Sequence, residues 1–238
     1  EAIKIDGSLT KAELLLGWTY FMMADYETAQ EIFDSALIKY EKCSDKRGMR
    51  MCYSNIGNVY FHKGEYDNAL KYHKLANKLA KEIGDESGKI LMSIGNIYFR
   101  MGNYEKALQN YNSELKFYEN ISDKHAFDSV KYNVRVLLAN ISRVYIYKGN
   151  YDVALKYLIR VHKISEEEGN KSWIGQSLSD IGMIYFDKGE HGKGLEVLKE
   201  ALPIQKDTGS SEDILCDTVY LALTYKYKNL NYDIKEID

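Results

Sequence analysis

The chain has 238 residues, of which 45% are apolar and 28% are charged, and its formal net charge is −3. This balance is that of an ordinary folded protein, so it excludes a disordered tail and a polycationic nucleic-acid binder. There is no run of eighteen apolar residues, and the first ten residues lack the basic start and apolar centre of a signal peptide, so neither membrane insertion nor secretion is predicted.

Proline and cysteine are both rare. One proline in the whole chain leaves long stretches free to be helical, because proline interrupts helices and marks loops. The cysteines, Cys43, Cys52 and Cys216, are few, odd in number and without CxxC spacing. Such a set fits a reducing compartment better than a disulfide framework or a zinc site, so three free thiols and a cytoplasmic location are predicted.

The most informative feature is a motif that returns along the chain. The stretch IGNVYFHKGEYDNAL at residues 56–70 comes back as IGNIYFRMGNYEKAL at residues 94–108. Each copy has a small anchor residue, and the anchors are Gly17, Gly57, Gly95, Ser142, Gly182 and Ala222. Their spacings are 40, 38, 47, 40 and 40 residues. A tyrosine follows each anchor by three residues. A nearly constant period of this size predicts a stack of supersecondary units.

Each copy predicts two antiparallel helices. In the second copy, apolar residues recur every three or four positions from Ile56 to Ala76, and Gly64 divides the run. A glycine there can adopt the left-handed conformation that ends one helix and lets the next fold back. Between copies, segments such as CSDKRG and EGNKSW place Asp or Asn where the side chain can accept hydrogen bonds from the first amides of the next helix.

The ends and two irregular segments complete the pattern. EAIKID at residues 1–6 is predicted to be the tail of a preceding second helix, and residues 225–238 stop where a sixth second helix should begin. The 47-residue step predicts that the fourth copy's first helix starts early, with Phe127 to Val134 as an inert insertion or a contact ridge. Gly192, Gly194 and Pro203 weaken a later second helix, which Pro203 should bend or end. Residues 1–238 are thus predicted to form a single array of about five complete helix pairs with partial units at both ends, cut from a larger protein.

These residues resemble the tetratricopeptide repeat family over nearly the whole chain. The family has a small residue and an aromatic in the first helix and two alanines in the second, which here are Gly57, Tyr60, Ala69 and Ala76. The period of about 40 residues exceeds the family's usual period of about 34. It is similar to the subclass of kinesin light chains, spindle-orientation adaptors and bacterial signalling regulators. The resemblance implies an all-α fold, a right-handed superhelical α-solenoid of antiparallel helix pairs.

Catalytic and metal-binding patterns are missing from the sequence. The five histidines are not paired with each other or with cysteine at metal-ligand spacing. No GxGxxG, GxxxxGKS/T, HExxH or GxSxG string occurs, and the recurring glycines fall at predicted turns and helix contacts. We therefore predict no catalytic residues, no metal, no cofactor and no enzymatic activity.

A partner-binding groove is predicted along the first helices, which line the inner wall of such a stack. The asparagines in it would pair with a ligand backbone, the phenylalanines would receive apolar side chains, and the basic residues would favour a carboxylate. The predicted groove residues are Trp18, Asn58, Phe61, Lys89, Met92, Asn96, Phe99, Arg100, Arg143 and Phe186. Two alternatives stay open: each phenylalanine packs on the first helix of the next unit, and the asparagine pair is a by-product of duplication. The carboxylate clamp that tetratricopeptide proteins use for chaperone tails is not predicted, because Ser54 and Ser93 stand where Lys or Asn would be needed.

Two functions follow from this groove. The first is a protein-protein interaction module that binds a peptide or protein segment, with no nucleic-acid or membrane partner. The alternative is a sensory or regulatory module that controls an attached kinase, nucleotide cyclase or DNA-binding domain. A homodimer through exposed terminal helices is a further expectation, because a cut array leaves apolar helix faces open.

Overall fold

The computed structural model describes residues 7–85, 89–121 and 127–208, and ten α-helices occur in that part of the chain. In chain order they are α1 (Gly7–Met22), α2 (Tyr26–Lys42), α3 (Lys46–His62), α4 (Tyr66–Glu82), α5 (Lys89–Arg100), α6 (Tyr104–Glu119), α7 (Phe127–Tyr147), α8 (Tyr151–Glu167), α9 (Lys171–Asp187) and α10 (His191–Thr208). The described residues contain no strand, so the all-α class is confirmed. The chain divides into two compact units, residues 1–117 and 118–238, and the single array over the whole chain stays a prediction.

Consecutive helices pack as pairs, with the anchor glycine of the first helix against a bulky residue of the second. A Cβ atom added to Gly57 would lie 2.7 Å from the His73 ring, and one added to Gly95 would lie 2.5 Å from the Tyr111 ring. The same contact joins Gly17 to Phe33 and Gly182 to Leu198. These four anchors are glycines because the two helices approach too closely there for a side chain, whereas the fourth pair has the small residue Ser142, which is buried.

Two Gly-to-Ala substitutions should therefore have opposite effects. Gly95→Ala would place a methyl group 2.5 Å from the Tyr111 ring, and overpacking of this kind lowers the free energy of unfolding by about 1–3 kcal/mol. Gly192→Ala in α10 would meet no atom within 4 Å, so its better helix propensity should raise the free energy of unfolding by up to about 1 kcal/mol. Urea unfolding followed by circular dichroism measures both. Two changes of the same sign would contradict the packing role of the anchor.

The turn inside each pair has a left-handed residue seven positions after the anchor, as predicted. Gly64, Gly102, Gly149 and Gly189 have φ angles of 79°, 74°, 70° and 79°. In the first pair this place is taken by Ala24, with a φ of 60°. In this left-handed conformation the Cβ atom of alanine is sterically unfavourable, a cost that glycine does not have.

The junctions between pairs are capped by polar side chains, also as predicted. The Asp45 carboxylate accepts hydrogen bonds from the amides of Arg47 and Gly48 at 3.0 and 3.1 Å. The side-chain Oδ1 of Asn170 accepts a hydrogen bond from the Trp173 backbone N–H at 3.2 Å. Each bond satisfies an amide that has no partner inside its own helix, so the next first helix begins at a defined residue.

Successive pairs are joined through two apolar positions on each first helix, one residue before the anchor and two after it. In α3 these are Ile56 and Val59, which are fully buried in one cluster with Phe33 and Ala36 of α2. Similar clusters join α5 to α4 and α9 to α8, through Ile94 with Ala76 and Ala80, and through Ile181 and Ile184 with Leu155 and Leu158. At these three junctions the second helix covers the first helix of the following pair.

One buried position of the third pair departs from the repeat. Nineteen residues after the anchor the second helices have Ala36, Ala76 and Ala201, all fully buried, whereas α6 has Glu114, which is also fully buried. The Glu114 carboxylate accepts a hydrogen bond from the Met92 backbone N–H in the first turn of α5. The positive end of the helix dipole stabilises a carboxylate there, so Glu114 acts as a tertiary helix cap.

The long first helix of the fourth pair is confirmed. Helix α7 has 21 residues, whereas α3 and α9 have 17 each. Val134, Leu138 and Ile141 are buried on one face of it, as the periodicity predicted. The side chain of Phe127 lies outside the described part, so the role of the extension stays open.

The expectation that Pro203 could end α10 is wrong, and the alternative that it bends the helix stays a prediction. The helix continues for five residues beyond Pro203, because Ala201 and Gln205 are buried on either side of that exposed proline and hold the turn in place. Gly194 is a packing residue rather than a weak point. A Cβ atom there would lie 3.0 Å from the Gly182 carbonyl oxygen, so the glycine allows the backbones of α9 and α10 to meet.

Some sequence predictions fall outside the described residues. These are the helix tail at residues 1–6, the sixth unit from residue 209 onward, and Cys216 within it. Of the other two cysteines, Cys43 is exposed and Cys52 is buried, and both are free thiols as predicted.

Candidate partner-binding site

The predicted groove residues of α1 and α3 are differently exposed. Trp18 is 42% exposed and stacks on Phe21, with ring centroids 4.9 Å apart. Asn58 follows the anchor of α3 and is half-buried. In the described part of the chain, the Asn58 side chain makes no hydrogen bond. Its amide therefore keeps two donors and a carbonyl acceptor for another molecule.

Asn96 at the matching position of α5 is already used inside the protein. Its Oδ1 accepts a hydrogen bond of 2.7 Å from the Tyr111 hydroxyl of α6. The second pair has His73 where the third has Tyr111, so Asn58 lacks the same partner. The sequence could not separate the two asparagines, because both stand in copies of the same IGN string.

The phenylalanines have an intramolecular role that the sequence analysis did not find. Each packs on the first aromatic residue of the following helix, five positions later. The ring centroids are 5.8 Å apart for Phe61 and Tyr66, 5.8 Å for Phe99 and Tyr104, and 4.6 Å for Phe186 and His191. All three phenylalanines remain half-buried. They shape the turn of each pair, and their role as partner anchors stays a prediction.

The basic residues belong to different units. Lys89 is the first residue of α5, and its side chain lies outside the described part. Arg100 is exposed, and its Nε donates a hydrogen bond of 3.2 Å to the Tyr66 hydroxyl. Met92 is half-buried beside Glu114. Because Arg143 lies in the second unit, its grouping with Lys89 and Arg100 stays a prediction.

Arg143 lines an open cleft between α7 and α9, with a volume of about 360 Å³. The cleft residues are Tyr132, Val136, Ala139, Asn140, Ser142, Arg143 and Ile146 from α7, and Trp173, Gln176 and Asp180 from α9. Arg143 itself is exposed. Its guanidinium has no ion pair or hydrogen bond with any described residue. The cleft thus offers one unpaired cation beside aromatic, aliphatic and amide groups.

The two aromatic residues of this cleft are held by a buried arginine. The Arg135 guanidinium lies 4.7 Å from the Trp173 ring centroid and 5.6 Å from that of Tyr132. It also pairs with the Glu168 carboxylate, and only 3% of its side chain is exposed. Burial lowers the pKa of Arg135. The neighbouring carboxylate and ring faces compensate the buried charge, and they keep Tyr132 and Trp173 in fixed positions.

The second wall of the cleft was missed by the sequence analysis. Gln176 donates a hydrogen bond of 3.3 Å to the Asp180 carboxylate, so the α9 wall has a polar pair beside Trp173. Trp173, Gln176 and Asp180 lie nine, six and two residues before the anchor Gly182. The predicted groove included only residues within one helical turn of the position after each anchor. These three residues continue the same face toward the start of α9.

Two features are absent from the described residues. Within residues 7–85, 89–121 and 127–208 there is no group of three or more His, Cys, Asp or Glu residues placed to hold a metal ion. No helix among those residues combines the length and apolarity needed to cross a bilayer.

Family comparisons agree with the repeat. One family model described as "Tetratricopeptide repeat" matches residues 49–120 and 133–207, and another with the same description matches residues 11–42. Human G-protein-signaling modulator 1 is 35% identical over 65 residues, which are 27% of this chain and 9% of that protein. The chain therefore spans less than a tenth of this relative in the matched region.

Solved structures share the fold at low sequence identity. RapI in its apo form has a TM-score of 0.80 and 19% identity, covering 98% of this chain and 64% of RapI. The apo form of the quorum sensor NprR from B. thuringiensis has a TM-score of 0.70 and 18% identity, covering 92% of this chain and 60% of NprR. NprR in complex with its cognate peptide NprX has a TM-score of 0.66 and 19% identity, covering 97% of this chain and 65% of NprR. The predicted tetratricopeptide-type α-solenoid class is confirmed.

Proposed function

Because the chain belongs to the tetratricopeptide repeat family, we propose that it is a protein-protein interaction module that binds a segment of another protein on its first helices. The observation that carries the proposal is the cleft between α7 and α9. Arg143 stands there exposed and unpaired among the described residues, next to two aromatic rings that are held in place. An unpaired cation beside apolar surface is typical of a recognition site and is not required for packing.

The cleft favours a ligand segment with a carboxylate next to an apolar side chain. Arg143 would bind the carboxylate through charge-assisted hydrogen bonds. Trp173 and Ile146 would contact the apolar side chain, and the Gln176 amide would pair with the ligand backbone. Because Arg135 already fixes Trp173, less conformational entropy would be lost on binding.

A solved structure of a similar protein with a bound peptide supports this proposal. NprR has been crystallised with its cognate peptide NprX, and this chain shares its fold over 97% of its length. No catalytic role is part of the proposal. A cytoplasmic location is included in it, because the thiols Cys43 and Cys52 are free.

A second candidate function is control of an attached output domain in signal transduction. It is favoured by the similarity to NprR, which is described as a quorum sensor. Both functions use the same cleft and differ in what happens after binding. If the parent gene encodes a kinase, cyclase or helix-turn-helix region beside these repeats, the regulatory function is favoured; further repeats alone would favour a scaffold.

Substitution of Arg143 tests the proposed ligand class. Peptides would first be selected on the whole chain from a random displayed library, and their affinities measured by calorimetry. We expect the selected peptides to contain an acidic residue. Arg143→Glu should weaken their binding by about tenfold to a hundredfold, the usual effect of losing a charge-assisted contact.

The control changes the same charge at another place. Lys163 is exposed on α8 and does not line the cleft, so Lys163→Glu should leave the affinity within about twofold, because exposed charges outside an interface contribute little. Replacing the acidic residue of the peptide by its amide should weaken binding to the wild type and strengthen binding to Arg143→Glu, because it removes the repulsion between two carboxylates. Equal losses for both protein variants would reject the cleft as the site.

A further inference from the structure

A cavity of about 190 Å³ is enclosed by residues of α4, α5 and α6. Its wall consists of Asn77, Ala80, Lys81, Asp85, Ile90, Leu91, Glu114 and Phe117. Among these residues only Lys81 is exposed, and the others are buried or half-buried. A cavity of about 150 Å³ is large enough for benzene. This cavity can therefore hold a ring or a branched alkyl group together with one polar group, and it is too enclosed for a peptide chain.

The cavity lies where α4 has a smaller residue than the other second helices. Twenty-three residues after the anchor, the five pairs have the buried residues Tyr40, Ala80, Tyr118, Ser165 and Gln205. The Tyr40 ring covers the first turn of α3, where it would lie 2.2 Å from a Cβ atom on Gly48. Ala80 is too short to cover the first turn of α5 in this way, and Ile90 and Leu91 of that turn line the cavity.

A buried carboxylate lines the same cavity, whose surface is otherwise mostly apolar. Glu114 is fully buried at a position where α2, α4 and α10 have alanine. It caps α5 through the Met92 N–H, and a carboxylate can accept several hydrogen bonds at once. Binding a donor from the cavity therefore does not require the cap to be broken. Two departures from the repeat thus meet here, a shortened side chain at Ala80 and an added charge at Glu114.

The charges of the wall favour a cationic ligand. Asp85 is paired with Arg50 of α3, whose Nη2 lies 3.2 Å from the Asp85 carboxylate. Lys81 is exposed, so its ammonium group can stay in water. Glu114 is the charge that is fully buried. A carboxylate in such a place attracts an ammonium group more strongly than one on the surface, because the attraction is less screened.

We propose that this cavity binds a small primary amine. The ammonium group would pair with Glu114, and a ring or branched alkyl group would pack against Ile90, Leu91 and Phe117. The cavity shares no residue with the cleft between α7 and α9. The proposal therefore does not depend on the proposed binding of a protein segment in that cleft.

Nuclear magnetic resonance titration of the isotope-labelled whole chain with benzylamine tests the proposal. At about pH 7.5 the amine is protonated, as a lysine side chain is. The Met92 amide signal should shift and saturate, because its hydrogen-bond acceptor is Glu114. A dissociation constant of about 1 mM is reasonable for a ligand of this size. Benzyl alcohol has the same shape without the charge and should bind at least about tenfold more weakly.

Two substitutions separate the charge from the space. Glu114→Gln keeps an acceptor for the Met92 N–H and removes the charge, so the preference for benzylamine over benzyl alcohol should disappear. Ala80→Phe fills the cavity with a ring like that of Tyr40, so neither compound should shift the Met92 signal. Glu31 is exposed on α2 and does not line the cavity, so Glu31→Gln should bind both compounds as the wild type does.

Circular dichroism and the amide spectra show whether each variant is folded, and Glu114→Gln decides alone if Ala80→Phe does not fold. The proposal is overturned if benzylamine at about 20 mM, twenty times the expected dissociation constant, leaves the Met92 signal of the wild type unchanged. It is also overturned if the wild type binds benzyl alcohol as tightly as benzylamine, if Glu114→Gln retains the preference, or if folded Ala80→Phe still binds.

Discussion

Acidification from pH 7.5 to about pH 5 is expected to lower the free energy of unfolding by about 2 kcal/mol through His73 alone. This side chain is 2% exposed beneath Gly57, and its Nδ1 is buried without a hydrogen-bond partner in the described residues. Burial lowers the pKa of His73 from 6.5 to about 4. Burial disfavours the charged ring, so in mildly acidic solution the unfolded chain binds this proton more tightly than the folded chain does.

The direction of the effect follows from the two pKa values. Between pH 6.5 and about 4 the unfolded chain binds a proton that the folded chain does not, so stability is complete above pH 6.5 and falls as the pH decreases. The loss levels off below the folded pKa. At about 1.4 kcal/mol per pKa unit, the limiting loss is about 3 kcal/mol.

His73→Tyr is the decisive variant for this prediction. The third pair already has this arrangement, since Tyr111 packs on Gly95 and its hydroxyl donates to Asn96. The variant should be at least as stable as the wild type at pH 7.5 and more stable by about 2 kcal/mol at pH 5. Urea midpoints at a series of pH values measure the difference. A constant gap between the two proteins would mean that His73 does not titrate with folding.

Removal of Glu168 should produce the second large effect. The variant Glu168→Ala leaves the Arg135 guanidinium buried without its carboxylate, and breaking a buried ion pair in this way costs about 3–5 kcal/mol. The contacts of Arg135 with Trp173 and Tyr132 offset part of this cost. We therefore expect a loss of about 3 kcal/mol in urea unfolding.

An exposed ion pair provides the matched control. Lys171 and Asp207 are 2.7 Å apart, with 67% and 64% of their side chains exposed. Asp207→Ala should therefore cost no more than about 1 kcal/mol. If the two losses are equal, the Arg135 pair is as solvated as a surface pair.

The Glu168 variant also connects stability with the cleft. Because Arg135 holds Trp173 in place, loss of Glu168 should loosen the indole, and fluorescence should detect this in a Trp18→Phe background. The affinity of the library-selected peptides should fall as well. A destabilised protein with unchanged Trp173 fluorescence and unchanged peptide affinity would separate Arg135 from the recognition site.

Local chemistry made most of the fold predictable from the sequence. The anchors, the left-handed turn residues and the capping side chains act within one or two helical turns, so Gly57, Gly64 and Asp45 could be assigned from spacing alone. The long first helix was visible for the same reason, as one continuous apolar periodicity in α7. Pro203 was misjudged because its cost is local, whereas the buried residues that outweigh it belong to the interface with α9.

The sequence by itself determined the helix pairs and their order, because both depend on residue type and periodicity along one chain segment. The face on which a partner would bind stays a prediction. Only the tertiary structure decided which residues of that face are available. Asn58 and Asn96 are alike in sequence, yet Tyr111 binds one of them and His73 leaves the other unbound. The cleft around Arg143 likewise depends on contacts between residues more than thirty positions apart, as in the pairing of Arg135 with Glu168. Such contacts depend on how the helices pack, so they cannot be predicted from the residue pattern of one helix.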